Sequence, residues 1–134
     1  MKSGYLFDSH VLLVFFQNEK GAKIVYDILK KSREQNIDRL ICVINLGEII
    51  YLTKKRFGDS RKLEILGRIH QLEFKVLSVL NPLVYQAAEI KADYPLSYAD
   101  CFVVACAIEQ NATIVTGDPE FKNVERLVKI EWIR

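Results

Sequence analysis

A three-layer α/β/α fold with a central, mostly parallel sheet is predicted for this 134-residue chain by two observations. Short apolar runs of strand length alternate with longer stretches whose apolar residues recur at three and four, so helical crossovers join strands that must pair in parallel. Acids also stand where several of these runs end, and folds of this kind place their working groups beyond the carboxyl ends of the strands. The length suits one domain, residues 1–134, with one core that needs no staples.

Each element follows from its local pattern. Tyr5-Leu6-Phe7 reads as a strand halted by Asp8-Ser9, and Val11 to Phe16 as a short helix. From Glu19 to Gln35 the residues Ala22, Ile24, Val25, Ile28 and Leu29 mark a helix with one buried face, ended at Asn36. Leu40 to Ile44 is a continuous apolar strand, with Asn45 placed as the N-cap of a helix carrying Leu46, Ile49, Ile50 and Phe57. Asp59 is expected to cap the next helix, which carries Leu63, Ile65, Leu66, Ile69 and Leu72, and Phe74 to Val79 alternates as a strand. Asn81-Pro82 opens a helix through Ala92. Ser97-Tyr98-Ala99-Asp100 precedes eight consecutive apolar residues, Cys101 to Ile108, as expected of a helix enclosed by protein. Thr113 to Thr116 is a strand stopped by Gly117-Asp118-Pro119, and Lys129 to Ile133 closes the sheet at an edge. No repeat, linker or low-complexity stretch divides the chain.

Composition removes several classes of function. Half the residues are hydrophobic and 27% are charged, which excludes a disordered chain. With 19 basic and 17 acidic side chains there is no basic block that would announce nucleic-acid binding, and Lys30-Lys31, Lys54-Lys55-Arg56 and Arg61-Lys62 read first as solvated helix faces. Cys42, Cys101 and Cys106 lie in apolar runs, odd in number and without metal-ligand spacing, so buried thiols in a reducing cytosol are expected. Met1 to Tyr5 leads straight to the first strand, too short for a secretory segment, and no apolar stretch approaches membrane-spanning length. A cytoplasmic protein is predicted.

Four acids are placed where they should converge. Asp8 follows the first strand, Asp118 lies just beyond Thr113–Thr116, and Glu48 and Asp100 belong to the first turns of their helices. Each has a modest alternative: Asp8 as a helix cap, Asp118 as a turn residue, Asp100 as part of a capping box with Ser97, whereas Glu48 among Leu46, Ile49 and Ile50 is harder to explain as structure. Gathering carboxylates is costly, because each raises the pKa of the others. A cation resolves the conflict, and oxygen ligands without His or Cys suit Mg²⁺ or Mn²⁺, which would activate water for phosphodiester hydrolysis.

The segments Tyr5-Leu6-Phe7-Asp8-Ser9, Asn45-Leu46-Gly47-Glu48-Ile49, Ser97-Tyr98-Ala99-Asp100-Cys101 and Thr116-Gly117-Asp118-Pro119-Glu120-Phe121 resemble the four acidic motifs of PIN-domain ribonucleases, most closely the VapC-like toxins of prokaryotic toxin–antitoxin pairs. The resemblance spans essentially the whole chain. It implies a PIN-like fold, Mg²⁺ or Mn²⁺ dependence, endonucleolytic cleavage of single-stranded or structured RNA, an antitoxin protein as partner and a homodimer. By motif it makes Asp8, Glu48, Asp100 and Asp118 the catalytic, metal-binding quartet, with Ser9 and Thr116 as supporting hydroxyls and Glu120 as an additional acid. His10 stands where many relatives have a non-ionisable residue and is expected to serve structure or surface, with substrate contact as the alternative; Gly47 beside Glu48 suggests close packing there. The apolar residues of Ile24 to Leu29 and Leu46 to Phe57 offer a candidate interface, with ordinary core packing as the alternative.

Competing readings fit less well. A phospho-receiver domain wants adjacent acids after its first strand and an Asp after its third, but Asp8 is followed by Ser9 and the third strand runs into Ser78-Val79-Leu80. A phosphatase with a D-x-D pair fails because His10 occupies its second position. A catalytically silent RNA- or protein-binding module would be favoured by loss of an acid, and all four are present. An RNA-processing nuclease without an antitoxin keeps the same chemistry.

Overall fold

In the computed structural model, residues 3–134 are described; Met1 and Lys2, the head of the segment expected to lead into the first strand, lie outside them. The elements run β1 (Tyr5–Phe7), α1 (Ser9–Phe16), α2 (Ala22–Glu34), β2 (Arg39–Cys42), α3 (Val43–Phe57), α4 (Asp59–Gln71), β3 (Lys75–Leu77), α5 (Asn81–Asp93), α6 (Tyr98–Gln110), β4 (Thr113–Thr116), a 3₁₀ segment (Pro119–Val124) and β5 (Lys129–Trp132). The strands form one sheet in the order β3-β2-β1-β4-β5, and every pairing is parallel. The chain therefore builds outward from β1 through β2 to β3, then returns to the other side of β1 for β4 and β5. That reversal opens a crevice between the carboxyl ends of β1 and β4, the usual ligand position in open α/β sheets.

Alternation within the strands sorts the core into two layers. Leu6, Leu40, Cys42 and Ile114 face α5 and α6, while Tyr5, Phe7, Ile41 and Val115 face α1 to α4. Both faces of the sheet are thus covered, which is why the central strands read as unbroken apolar runs. Helix α6 is enclosed, with all seven residues from Cys101 to Ala107 buried and only Ile108 emerging, so the predicted apolar octet is matched except at its last member. Asn36 and Asn111 take left-handed backbone conformations after α2 and α6, with φ of 55° and 52°, a geometry that Asn tolerates well. The three cysteines are buried and free. Among the described residues no helix is long and apolar enough to cross a membrane.

Several expected boundaries move. Strand β2 ends at Cys42 and α3 begins at Val43, inside the apolar run read as one strand; an apolar run buried on both sides does not reveal where extended backbone becomes helix. Asn45 is therefore no N-cap but a buried residue of the helix, and Glu48 falls beyond its first turn. Asp59 does not cap α4: Gly58 holds that position, and Asp59 instead meets Lys62 at 3.0 Å and Lys54 at 3.6 Å. The third strand shortens to Lys75–Leu77. Gly47 is not closely packed either, since a Cβ there would meet nothing within 4 Å.

Gly67 in the middle of α4 faces equally open space. Its backbone freedom is a cost without a packing return, so Gly67→Ala is expected to stabilise the fold by about 0.5–1 kcal/mol. Thermal unfolding should register a rise of roughly 2–4 °C.

Candidate active site

Asp8 leaves β1 and becomes the N-cap of α1, its Oδ1 accepting from the Val11 amide at 2.8 Å. Its Oδ2 accepts from the Thr116 hydroxyl at 2.5 Å, and the whole residue is 3% exposed. Burial pushes the Asp8 carboxyl up from 3.8 to about 6, against the pull of these two hydrogen bonds. Thr116 ends β4 and is itself fully buried; its Oγ1 also accepts from the Asp118 amide at 3.1 Å. One hydroxyl thus ties the acid after β1 to the loop that carries the acid after β4.

Asp118 takes the cap of the 3₁₀ segment, its Oδ1 accepting from the Glu120 amide at 2.9 Å. Glu48 is held through Oε1 by two donors at 3.0 Å, the Ser9 hydroxyl from α1 and the Asn45 side-chain amide one turn earlier on α3. Asp100 rides on the first turn of α6, where the Ser97 hydroxyl caps the helix by accepting from its amide at 3.2 Å. Desolvation raises the Asp100 carboxyl from 3.8 to about 7, helped by the charge of Asp8, opposed by the hydrogen bond from Ser97, and helped further but less by Asp118 and Glu48.

The other three predicted acids therefore act on one point, the Asp100 carboxyl. Asp100, Asp118 and Glu120 each offer a carboxylate oxygen to a group lying within 4.8 Å of one another. Glu120, which the motif reading ranked as supporting, is geometrically part of this cluster, while Asp8 is not in it and accepts one internal hydrogen bond on each oxygen. The modest alternatives are also realised: Asp8 and Asp118 do cap their helices, and capping is what orients them. Asn45 was missed as the partner of Glu48. The i, i+3 spacing on one helix would have revealed it, had α3 been started at Val43 rather than after Asn45. His10 is exposed next to Asp8, and its charge lowers the Asp8 pKa.

The family model of the PIN domain matches residues 5–127. The chain belongs to the PIN-domain family. No curated protein matches it by sequence. Solved structures with the same fold include VapBC2 from Rickettsia felis bound to a DNA fragment from its promoter, at TM-score 0.76 and 18% identity over 95% of this chain and 96% of that one. A toxin–antitoxin complex from Klebsiella pneumoniae is similar at TM-score 0.70 and 17% identity, covering 98% of both chains. VapC20 from Mycobacterium tuberculosis, a toxin that cleaves the sarcin–ricin loop, is similar at TM-score 0.69 and 14% identity, covering 89% and 93%. The PIN fold, with its five-stranded parallel sheet, is thus the one expected from the sequence. In this PIN domain the acidic cluster contains neither His nor Cys, a donor set that fits a hard divalent cation.

The Thr116 hydroxyl carries a measurable load. Thr116→Val keeps the shape but removes the donor to a buried carboxylate, so a loss of about 1–3 kcal/mol is expected where Asp8 is ionised. Urea unfolding should show a larger loss at pH 8 than at pH 5, because at pH 5 the Asp8 carboxyl, with its pKa of about 6, is already mostly neutral.

Proposed function

We propose that this chain is a metal-dependent endoribonuclease that cleaves RNA by attack of water on the phosphodiester, and that it is the toxin of a toxin–antitoxin pair. The observation that carries the reading is the cluster of Asp100, Asp118 and Glu120 oxygens within 4.8 Å, at the sheet edge of a PIN-domain chain. Mg²⁺ or Mn²⁺ would be held there by these carboxylates, with Asp8 and Glu48 adding negative charge behind them. Bound, such an ion supplies a lowered pKa to coordinated water and neutralises charge on the departing oxygen.

The side chains divide the remaining work. Thr116 holds Asp8 and the Asp118 loop in fixed relation, so little reorganisation is needed when substrate arrives. Ser9 and Asn45 anchor Glu48 through Oε1, which leaves Oε2 without a protein donor among the described residues and open for a contact in the cleft. The buried wall of α6 fixes the position of Asp100.

An antitoxin partner is supported by the likeness to toxin–antitoxin complexes and by exposed apolar residues on α2 and α3. Core packing claims Val25, Ile28, Leu29 and Ile49, but Ile24, Tyr51, Leu52 and Phe57 remain 40–55% exposed. Exposed apolar side chains of this kind fit an amphipathic segment of a partner. A homodimer and a cytoplasmic setting complete the proposal.

The test is cleavage of a single-stranded RNA by the purified protein with Mg²⁺ or Mn²⁺ and with chelator, alongside calorimetric titration of Mn²⁺. Metal-dependent cleavage with saturable binding is expected. Neither cleavage nor ion binding would sink the enzyme reading and leave a silent module with the same fold.

A further inference from the structure

Two of the three buried cysteines meet in the core. Cys42 ends β2 and stands at the N-cap of α3, while Cys106 lies on the enclosed helix α6, and both side chains are shut off from solvent. They belong to the same core layer, where the backbone of α6 comes within 8 Å of β2 and of α3. There the Cys106 thiol donates a hydrogen bond to the Cys42 sulfur. Cys101 supplies the comparison on the same helix: it is equally buried, but the groups that act on it are Lys91 and Asp100 and not a thiol.

The two sulfurs are not equivalent. The hydrogen bond from Cys106 outweighs burial and, with the first amides of α3 from Ile44 and Asn45, brings the Cys42 thiol down from 9.0 to about 7. The same contact and burial push the Cys106 thiol up. A sulfur at a helix start is the more readily ionised and hence the nucleophile, and its neighbour keeps the proton. Core packing asks only for small apolar groups at these two positions, and it gives no reason for two thiols of opposite acidity in contact.

We propose that Cys42 and Cys106 are a redox latch: a peroxide joins them in an internal disulfide that ties α3, which carries Glu48, to α6, which carries Asp100. The Cys42 thiolate attacks one peroxide oxygen, the O–O bond breaks, and hydroxide leaves to take up the proton that Cys42 gave, which forms water and a sulfenic acid. The Cys106 sulfur then attacks the Cys42 sulfur, the S–S bond forms as the S–O bond breaks, and the Cys106 proton leaves with the hydroxide as a second water. Two electrons pass from the sulfurs to the peroxide, and a small dithiol reverses the change by exchange. Hydrogen peroxide is close to water in size, so a slight local opening of the core admits it while bulky oxidants stay outside. The resolving thiol is already in contact, so the sulfenic acid is captured before it oxidises further. The inference does not depend on the ribonuclease reading.

The experiment treats the full chain, reduced and freed of thiol reagents, with hydrogen peroxide in EDTA, then unfolds it in guanidinium with iodoacetamide. Untreated protein should be alkylated on all three cysteines and treated protein on Cys101 alone, with Cys42 and Cys106 recovered as one linked pair of peptides in mass spectrometry. Dithiothreitol before unfolding should restore all three. Cys101→Ser should keep the linkage and Cys42→Ser should abolish it; where Cys42→Ser does not fold, Cys106→Ala asks the same question. Because the disulfide closes a long loop, the linked form should unfold with a midpoint roughly 5 °C or more above the reduced form. Three alkylated cysteines after treatment that oxidises free glutathione in the same tube would overturn the latch. So would linkage through Cys101, linkage between two chains, Cys42 driven to the sulfinic acid with Cys106 left free, or a linked form with an unmoved midpoint. The thiol count is read whether or not the protein cuts RNA, so a failed cleavage assay removes the nuclease reading alone.

Discussion

Asp100→Asn should lower metal-dependent RNA cleavage at least about 100-fold and weaken Mn²⁺ binding at least about tenfold. Asp100 is the sharpest probe of the site because two independent features meet on it. Its oxygen belongs to the cluster with Asp118 and Glu120, and its carboxyl feels the charges of Asp8, Asp118 and Glu48. The substitution is nearly isosteric and leaves the backbone amide free to donate to the Ser97 hydroxyl, so the cap of α6 survives. What is lost is one anionic oxygen in the proposed metal seat. Asp93→Asn, at the exposed end of α5, serves as the control and should leave both measurements unchanged. Parent-like cleavage by Asp100→Asn at limiting metal would remove Asp100 from the chemistry.

How much of this was legible in the sequence depends on the range of the interaction concerned. Asp8 and Asp118 could be placed because a strand ending in an acid is a local pattern, and parallel order then brings the two ends together without further information. The covering of both sheet faces was legible for the same reason, in runs such as Ile114-Val115 whose neighbours turn to opposite layers. The start of α3 was not, because Leu40 to Ile44 stays apolar across the change from strand to helix: Cys42 is needed in the core, and Ile44 packs against the same layer from the helix. That error displaced Asn45 and hid its bond to Glu48. The place of Glu120 in the cluster was also beyond reach, since it depends on how Pro119 and the cap by Asp118 turn the 3₁₀ segment toward α6, a contact between residues distant in sequence.

Metal-free protein should be more stable at pH 5 than at pH 8, and metal should reverse the order. Asp8 and Asp100 carry folded-state pKa values of about 6 and about 7, both above 3.8, so between these limits the folded chain binds more protons than the unfolded one. Stability then falls as pH rises from about 4 to about 7, the opposite of the usual behaviour of a paired carboxylate. A rise from 3.8 to about 6 at the fully buried Asp8 corresponds to about 3 kcal/mol lost by pH 8, part of it already gone at pH 5. Asp100 is only half-buried, and solvent screening reduces its share to about 1–2 kcal/mol. Combining Asp8→Asn with Asp100→Asn isolates the effect, because Asn keeps the cap at Val11 and cannot ionise: the double variant should gain on the parent by about 2–4 kcal/mol at pH 8 and much less at pH 5. Adding Mn²⁺ at 100 times its dissociation constant should return about 2.7 kcal/mol to the parent at pH 8 and almost nothing to the variant. Chemical denaturation at the two pH values, with and without the ion, measures all four terms. A parent and variant with the same pH dependence would mean that neither burial, the larger cause, nor the neighbouring charges raise these carboxyls in the fold, and the physical reason for a cation at this edge would be gone.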